Sequence, residues 1–530
     1  MKNKTQIYRV MFVIFMQLVL FTLLFKGVIN ESRVYDEVTY VKVGYGFLTK
    51  HDFRLDPFNP PFARELVALP MLINSEVYKD PRLIAPRMVV IVVTLLFSLL
   101  IYLFTKKLFG TAAAFLSLTL FTIDPNILAH GHYATMDMIF SFLFVLTLYL
   151  YFIWKKKFSY KKIIFFSIIL GLTLSSKISA LFFLFPSLII VYFFDNPKWK
   201  TITFWKEKKN SILLLIFITL LTLWSTYFFT FEPLLGYRFD PERPAIKLAE
   251  TNYLVKIALT QPMPLGSYIS TIKQQILYNY SGWYRKDSFI MGDLSGLGHP
   301  GYYFPLIILI KTPITIILFF LTSAFYFIKK RKKHLVVLIP ITFVLASIMF
   351  TKVTLVLRYI LPLYILIMMY SSQVININTK KTVIKYGILA GLLLWHIYGL
   401  FKVTPHYVSF TNQFFDGYKN GYKYVFDANY DWGQGLVVLK NYQDKNNISD
   451  LQLAYFGDLD PKILGLKYMR IKDASLSDTQ KTYDLKLTKN STIAISATCW
   501  YLCGYYKDTR IKDIESYDIV GGSILIFRID

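Results

Sequence analysis

Long runs of apolar residues alternate with short basic stretches along roughly the first four hundred residues of the chain. Many of these runs are long enough for a helix to cross the hydrocarbon core of a bilayer, which is about 30 Å thick. The pattern predicts eleven membrane-spanning helices, at roughly residues 8–29, 87–105, 111–124, 136–154, 163–176, 178–194, 211–231, 303–328, 335–350, 355–373 and 383–402. We therefore expect an α-helical polytopic membrane protein.

The basic residues predict how these spans are oriented. With eleven spans and a cytoplasmic N-terminus, every basic cluster lies on the cytoplasmic side, as the positive-inside rule requires. Of the 33 Asp and Glu residues, only Asp195 and Glu207 fall in the predicted cytoplasmic loops. We expect a multi-pass protein of the plasma membrane with its N-terminus in the cytoplasm.

This topology places three long segments outside the membrane: residues 30–86, residues 232–302 and the tail 403–530. We therefore predict two domains, a transmembrane catalytic domain over residues 1–402 and an extracytoplasmic domain over residues 403–530. The tail contains the alternating stretches "LQLAYF", "STIAISAT" and "GSILIFRI", which are typical of strands. A small C-terminal α/β domain is the expected result.

Composition supports the membrane class, because 55% hydrophobic and only 17% charged residues are unusual in a soluble chain. The formal net charge is +26. Much of it comes from lysines in predicted cytoplasmic loops, which orient the spans and contact anionic headgroups. The charge therefore indicates membrane lipids as partners and gives no case for nucleic acid.

The chain has two cysteines, Cys499 and Cys503, and both lie in the outer tail. In a continuous strand, positions four apart are about 13 Å from one another, which is too far for a disulfide. A bridge therefore requires a turn between them. The sequence leaves open whether the bridge forms, and two cysteines alone are a poor metal site.

Charged residues are concentrated in the first outer segment, directly after the first span. Asp36 and Glu37 are adjacent, so they point in different directions on a helix, and one can face a cavity while the other holds structure. Pro60 and Pro61 favour an extended approach to a short helix that carries Arg64, which this geometry can aim at an anion. Charged residues beside hydrocarbon usually have an ion-pair partner or take part in a reaction. The alternative is that these residues are ordinary loop charges in water.

The ordered series of motifs resembles the protein O-mannosyltransferase group of the GT-C superfamily, also known as glycosyltransferase family 39 or phospholipid carrier-dependent glycosyltransferases. "YDEVTYVKVGYGFL" followed by "NPPFAREL" is similar to the first outer loop of that family. Similar blocks follow in chain order: "DPNILAHGHYATMDMIFSFLF", "GLTLSSKISALFFLFP", "RKDSFIMGDLSGLGHPGYYFPLIILIKTP", "LRYILPLY" and "FDANYDWGQGL". The family often has His before the Pro-Pro pair, where this chain has Asn59, so no role that needs that imidazole carries over.

The resemblance implies a GT-C fold and an inverting glycosyltransferase. Its sugar donor would be a polyprenyl phosphate, and its acceptor a hydroxyl of a protein, a glycan or a lipid on the outer face of the membrane. Asp36 matches the catalytic Asp of the family, and a single base is sufficient because the departing phosphate is a good leaving group. Glu37 would orient the acceptor or the loop backbone. No cofactor is definite, and a divalent cation stays open.

The leaving phosphate needs positive charge, and three cations lie at or near predicted outer ends of spans. Arg64, Lys177 and Arg358 are therefore the predicted phosphate-binding residues. Lys311 could be a further phosphate contact. The structural alternative for both Lys177 and Lys311 is a Lys at a span end that reaches the headgroups. Arg358 lies inside a predicted span, where a structural explanation is harder.

Four residues are predicted to bind the acceptor or other substrate groups. Asp137 starts the fourth span, matches the second acidic position of the family and is expected to bind acceptor, a divalent cation or an Arg. Trp432 and Gln434 have the chemistry to stack on sugars and to bind hydroxyls, with a folded turn as the alternative. Tyr40 completes the set, although Tyr40, Tyr284, Tyr302 and Tyr303 could equally be aromatics of the membrane interface.

Neighbouring polar residues are assigned simpler roles. Asp124, before Pro125, is expected to cap the turn between two spans. His130 and His132 lie near Asp137, but two histidines and one acid are weak evidence for a metal site, so no metal ligand is predicted.

Two other classes of protein compete with the enzyme. A transporter or flippase of lipid-linked sugars should have polar or Gly/Pro-broken positions in the middle of several spans, whereas the ionisable residues here collect at one membrane face. A tail that acts as a binding module anchored by the bundle leaves the charged first loop unexplained.

Overall fold

The computed structural model describes residues 2–155, 159–234, 253–281, 288–295, 301–327, 334–351, 356–475, 483–489 and 491–529. Helices dominate up to residue 403, and most of the strands follow residue 450. The first ten helices are α1 (Lys2–Asn30), α2 (Glu37–Lys50), α3 (Phe62–Ala68), α4 (Ile84–Phe109), α5 (Thr111–Ile123), α6 (Pro125–His130), α7 (Met136–Trp154), α8 (Tyr160–Leu174), α9 (Phe185–Asp195) and α10 (Ile202–Ser225). A π-helical turn, Ala180–Leu184, precedes α9.

The later helices include both short outer helices and long apolar ones. They are α11 (Tyr253–Thr260), α12 (Gly266–Ser281), α13 (Tyr303–Lys311), α14 (Ile314–Phe327), α15 (Leu335–Met349), α16 (Leu361–Ser371), α17 (Thr382–Val403), α18 (Leu436–Lys445) and α19 (Ala497–Leu502). Short 3₁₀ turns flank α16, so that one helical stretch runs over Leu357–Asn376.

Within the described ranges, a helix lies at each of the eleven predicted segments. Six helices there are long and apolar enough to cross a membrane: α1, α4, α7, α10, α17 and Leu357–Asn376. The pair α13 and α14 is bent by 114° and makes a seventh if it is one span. Because α5, Ala180–Asp195 and α15 are shorter apolar helices, the number eleven stays a prediction.

The helices form a bundle around α4 and α7. α4 packs against α1, α5 and α7, and α7 packs in turn against α8 and α16. Large buried side chains fill the space between them, among them Phe97, Phe104, Phe121, Phe140 and Tyr364. Buried hydroxyls such as those of Thr94, Ser141 and Thr147 donate to carbonyls four residues earlier, which satisfies them inside their own helices.

The first outer segment folds into two helices that cross closely. α2 lies against α3, and a Cβ added at Gly44 would be 2.2 Å from the carbonyl oxygen of Arg64. Only glycine permits this approach. The crossing holds the residues after Asp36 against the helix that carries Arg64.

The C-terminal part of the chain contains a mixed sheet. Its strand order is β10 (Asp518–Val520), β11 (Ile524–Arg528), β9 (Thr492–Ser496), β5 (Leu451–Ala454) and β7 (Met469–Arg470). β9 is antiparallel to β11 and parallel to β5. The three alternating stretches are thus confirmed as strands. Two-residue or three-residue strands pair elsewhere: β1 (Phe231–Glu232) with β2 (Met263–Pro264), β3 (Ser288–Ile290) with β4 (Asp293–Ser295), and β6 (Phe456–Gly457) with β8 (Ala474–Ser475).

Both faces of the sheet are covered. One face packs on α18 through Leu436 and Leu439, and the other packs on the α19 region through Trp500. Earlier tail residues, including Tyr407 and Trp432, share the core of the helical bundle. The tail is therefore anchored in the bundle by the residues that precede the sheet.

The two cysteines form a disulfide. β9 ends at Ser496, whose hydroxyl caps α19 by accepting from the Cys499 amide. The helix then places Cys499 and Cys503 one turn apart, with 4.9 Å between their Cα atoms. The turn that a bridge requires is thus a short helix.

Candidate active site

The adjacent acids Asp36 and Glu37 point to different environments. Glu37 is fully buried, and its oxygens accept from Arg87 Nε at 2.9 Å and Arg87 Nη2 at 2.7 Å. They also accept from the amides of Val34 and Ala134, at 2.7 and 2.6 Å. Of the two roles expected for Glu37, to orient the acceptor or the loop backbone, these contacts serve the loop backbone.

Asp36 precedes α2 and stays partly accessible, with 26% of its side chain exposed. Its Oδ2 is 2.6 Å from Arg358 Nη2, and the Tyr40 hydroxyl lies 3.5 Å from the same oxygen. Tyr40 is thus beside the candidate base. The structure brings Arg358 to Asp36 and Tyr40, although it lies 322 residues from Asp36 in sequence.

Arg358 connects Asp36 to a second acid. Its Nη1 lies 3.6 Å from Asp137 Oδ2, and the other oxygen of Asp137 accepts from Lys177 Nζ at 2.6 Å. Lys177 is buried and lies 4.2 Å from the ring centroid of Tyr359, so it does not reach outward to headgroups. The partners expected for Asp137 are an acceptor, a divalent cation or an Arg. The structure shows an Arg, namely Arg358, and Lys177 in addition.

Arg64 is buried on α3 close to this group. Its Nη2 pairs with Asp56 Oδ2 at 2.8 Å, and its guanidinium carbon lies 5.4 Å from the ring centroid of Tyr40. Within the described ranges, its Nε and Nη1 have no hydrogen-bond partner. Buried donors without partners are costly, so these two nitrogens are suited to receive an anion.

Trp432 and Gln434 are both buried, which favours the folded turn over acceptor binding. Gln434 Oε1 accepts from the Trp432 amide at 2.7 Å, and its Nε2 donates to Ser409 Oγ and the Tyr430 carbonyl. The Trp432 ring centroid lies 4.2 Å from the guanidinium carbon of Arg358. These side chains serve the fold around Arg358 and are not available to a sugar.

Lys311 is also structural, and the prediction that it could contact phosphate is wrong. Its ammonium donates to the carbonyls of Val408, Phe410 and Asn429, at 2.8, 2.5 and 2.7 Å. All three donors of the ammonium are thereby used. Lys311 fastens the start of the tail to α13.

The turn between α5 and α7 has a structural role. Asp124 accepts from the amides of Asn126 and Ile127, which confirms it as the cap of α6. His132 lies against Glu31, with 2.9 Å between Nε2 and Oε2. Among the described residues, no group of three or more His, Cys, Asp or Glu side chains could hold a metal ion.

Sequence reasoning missed Arg87 and Glu31, which support the loop that carries Asp36. The sequence feature that indicated Arg358 could also have indicated Arg87, because Arg87 is a charged residue at the end of an apolar run. Glu31 accepts from the Tyr133 hydroxyl at 2.7 Å and contacts His132 and His406. Burial raises the pKa of Glu31, but the hydrogen bonds and charges of the two imidazoles outweigh this and lower it to about 2. Tyr284 lies outside the described residues.

Comparisons with known proteins match part of the chain by sequence and nearly all of it by fold. Residues 60–225 match the family model "Dolichyl-phosphate-mannose-protein mannosyltransferase". This segment includes Arg64, Asp137 and Lys177. No curated protein matches the chain.

The solved structures that match come from Cupriavidus metallidurans and Archaeoglobus fulgidus. ArnT from Cupriavidus metallidurans in the apo state aligns with a TM-score of 0.50 and 11% identity, covering 99% of this chain and 98% of ArnT. ArnT bound to undecaprenyl phosphate gives 0.49 and 12%, with the same coverage. AglB from Archaeoglobus fulgidus, in complex with an inhibitory peptide and a dolichol-phosphate, gives 0.48 and 14%, covering 85% of this chain and 62% of AglB.

The family-model match and the fold shared with apo ArnT confirm the resemblance to GT-C membrane glycosyltransferases that the motifs predicted. The five charged residues brought together here, namely Asp36, Arg64, Asp137, Lys177 and Arg358, are the candidate active site of this fold.

Proposed function

We propose that the chain is an inverting glycosyltransferase that moves a sugar from a polyprenyl phosphate to a hydroxyl of a protein, glycan or lipid acceptor. The observation that carries the proposal is the pairing of the accessible Asp36 with Arg358, close to the buried and partly unpaired Arg64. A base and cations for a phosphate are therefore neighbours. A mannosyl donor is the first to test, because the matched family model is described by dolichyl-phosphate-mannose.

In the proposed reaction, Asp36 accepts the proton of the acceptor hydroxyl while the hydroxyl oxygen attacks the anomeric carbon. The bond between that carbon and the phosphate oxygen breaks on the opposite face. The products are the glycoside, with inverted configuration, and the polyprenyl phosphate. Arg358 and Arg64 stabilise the charge that develops on the phosphate.

The ion pair between Asp36 and Arg358 suits this sequence of events. While Arg358 Nη2 donates to Asp36 Oδ2, that oxygen is not open to an acceptor hydroxyl. A donor phosphate that binds Arg358 competes for its guanidinium and leaves Asp36 free to accept a proton. Asp137 lies 3.6 Å from the other edge of Arg358, and Asp137 is itself held by Lys177 at 2.6 Å.

The positions of these charges favour an enzyme over a flippase. Asp36, Arg64 and Lys177 lie outside the long apolar helices, and Asp137 and Arg358 lie in the first turns of theirs. A path for lipid-linked sugars would need polar positions along several spans. We propose that the site faces the outer side of the plasma membrane, with the tail sheet on the same side.

The test is the release of free polyprenyl phosphate by purified protein from a panel of polyprenyl-phosphate sugars, with and without envelope extract as the acceptor source. We expect Asp36→Asn to lower the rate by about 10²- to 10⁴-fold, since general base catalysis is lost. Glu76→Gln is the matched control, because Glu76 is an exposed acid of the same outer segment. If Asp36→Asn is as active as the control, the assigned base is wrong. If wild type consumes no donor, transport of the intact lipid-linked sugar is the next function to test.

A further inference from the structure

The segment Asn429–Gln434, here called the tail turn, contacts the chain on both sides of the Asp36–Arg358 pair. On the Asp36 side it is joined to the residues that precede α2. The Tyr35 amide donates to the Trp432 carbonyl at 3.0 Å, and the Ser32 amide donates to the Gln434 carbonyl at 3.0 Å. The Ser32 hydroxyl also donates to the Gly433 carbonyl at 3.0 Å.

On the Arg358 side, the tail turn makes two further contacts. The Leu357 amide donates to Asn429 Oδ1 at 2.9 Å, which fixes the backbone next to Arg358. The Trp432 ring lies under the guanidinium, with 4.2 Å between the ring centroid and the guanidinium carbon. The Tyr133 ring packs edge-on against the indole, with 5.7 Å between the ring centroids, so the indole is held from a second direction.

The tail turn is itself held by the sheet region. Gly433 has a φ of +92°, and a Cβ there would be 2.9 Å from the carbonyl oxygen of Phe456. The Tyr455 hydroxyl donates to the Gly433 carbonyl at 2.7 Å, and the Thr498 amide donates to Asp431 at 2.8 Å. The position of the indole is therefore set by Tyr455, by β6 and by the start of α19.

We propose that Trp432 is a positioning residue that holds Arg358 where it can contact both Asp36 and the donor phosphate. A buried aromatic face stabilises a cation more strongly than an exposed one, because neither group is solvated by water. The tail turn ties the backbone of Tyr35, next to Asp36, and the side chain of Arg358 to the same six residues. Trp432 thus acts through Arg358 and does not contact the sugar. The proposal rests on the proposed function, since the phosphate is its ligand.

The test is a double-mutant cycle between Trp432→Leu and Arg358→Gln, measured as kcat/KM for the polyprenyl-phosphate sugar. We expect Trp432→Leu to lower kcat/KM by about 10- to 30-fold in the wild-type background. In the Arg358→Gln background, the same substitution should change it by less than about threefold, because residues that act as a unit are not additive. Trp432→Phe, which keeps an aromatic face, should restore most of the activity.

Trp154→Leu is the matched control, because Trp154 is a partly buried tryptophan that stacks on Phe166 at the end of α7 opposite to Asp137. It removes packing without touching Arg358, so its effect should be the same in both backgrounds. If Trp432→Leu behaves like this control, Trp432 only fills the core and the proposal is overturned.

Donor consumption by wild type tests the proposed function separately. If wild type consumes no donor, that function fails, and the cycle is measured as the shift of the thermal midpoint of the purified protein. If Trp432→Leu shifts the midpoint less in the Arg358→Gln background than in wild type, the pairing of Trp432 with Arg358 is retained. Equal shifts in the two backgrounds overturn it.

Discussion

At the scale of single residues, the two adjacent acids of the first outer segment have separate tasks. Glu37 is buried against Arg87 and two backbone amides, whereas Asp36 keeps contact with solvent and pairs with Arg358. The difference arises because neighbouring positions at the start of α2 face different sides of the helix. One acid fixes the loop so that the other can be presented to a substrate.

Glu37→Gln should damage folding rather than chemistry. The substitution leaves the buried Arg87 without its ionic partner, and breaking a buried pair costs about 3–5 kcal/mol. We expect a lower thermal midpoint and a lower yield of folded protein, with partial recovery in Glu37→Gln/Arg87→Met, which removes the unpaired charge. Normal stability combined with lost donor consumption would show that Glu37 belongs to the reaction instead.

Glu65 makes the stability of the protein dependent on pH. Burial raises the pKa of its carboxyl from 4.5 to about 8, and its Oε1 has no hydrogen-bond partner among the described residues. The folded state therefore binds this proton more tightly than the unfolded state, and stability falls as pH rises from about 4.5 to 8. We expect Glu65→Gln to raise the thermal midpoint at pH 8.5 and to change it little at pH 5. An equal effect at both pH values would contradict the burial argument.

At the scale of elements, short helices decide where chemical groups meet. α3 carries Arg64 into contact with Tyr40, α6 is capped by Asp124, and α19 brings two cysteines into bonding range. Periodicity predicts long spans well, because many residues share one pattern. Elements of about six residues contain too few positions for such a pattern. The sequence therefore indicates strands in the tail but does not reveal the short helix at the cysteines.

The disulfide should contribute modestly to stability. It closes a loop of only five residues, for which the chain-entropy model gives about 2 kcal/mol. We expect Cys499→Ser/Cys503→Ser to fold but to unfold at a lower temperature, and reductant to lower the midpoint of wild type while leaving the double variant unchanged. Thiol labelling of the unfolded protein before and after reduction checks that the bond is present.

At the scale of the whole molecule, the fold brings distant segments to one site. The first outer segment supplies Asp36 and Arg64, the bundle supplies Asp137, Lys177 and Arg358, and the tail supplies Trp432. Within the bundle, the site is at the ends of helices, where loops can bring charges without placing them in hydrocarbon. The tail sheet also supports the site, because it holds the tail turn.

The predicted orientation can be tested by labelling single cysteines in the Cys499→Ser/Cys503→Ser background. Glu76→Cys and Lys462→Cys should react with a membrane-impermeant maleimide on intact cells, because both positions lie in predicted outer segments. Lys198→Cys should react only after permeabilisation. All three positions are exposed in the structure. Labelling of Lys198→Cys on intact cells would contradict an inward-facing basic cluster.

Much of the candidate site could be predicted from the sequence, because charges beside apolar runs are rare and each needs a reason. The cost of such charges and the family resemblance together indicate Asp36, Arg64, Asp137, Lys177 and Arg358. They do not separate Glu37 from Asp36 or Lys311 from Lys177. Those differences depend on partners such as Arg87 and the carbonyl of Asn429, which lie 50 or more residues away.

The sequence by itself determined the membrane class, the approximate positions of the helices and the set of charged candidates. These properties depend on local hydropathy and on the cost of burying charge, and both can be evaluated residue by residue. Only the tertiary structure decided which charges pair, which polar groups are fully bonded and that Trp432 lies under Arg358. Such contacts join residues that are tens to hundreds of positions apart, and no local pattern encodes the geometry that brings them together.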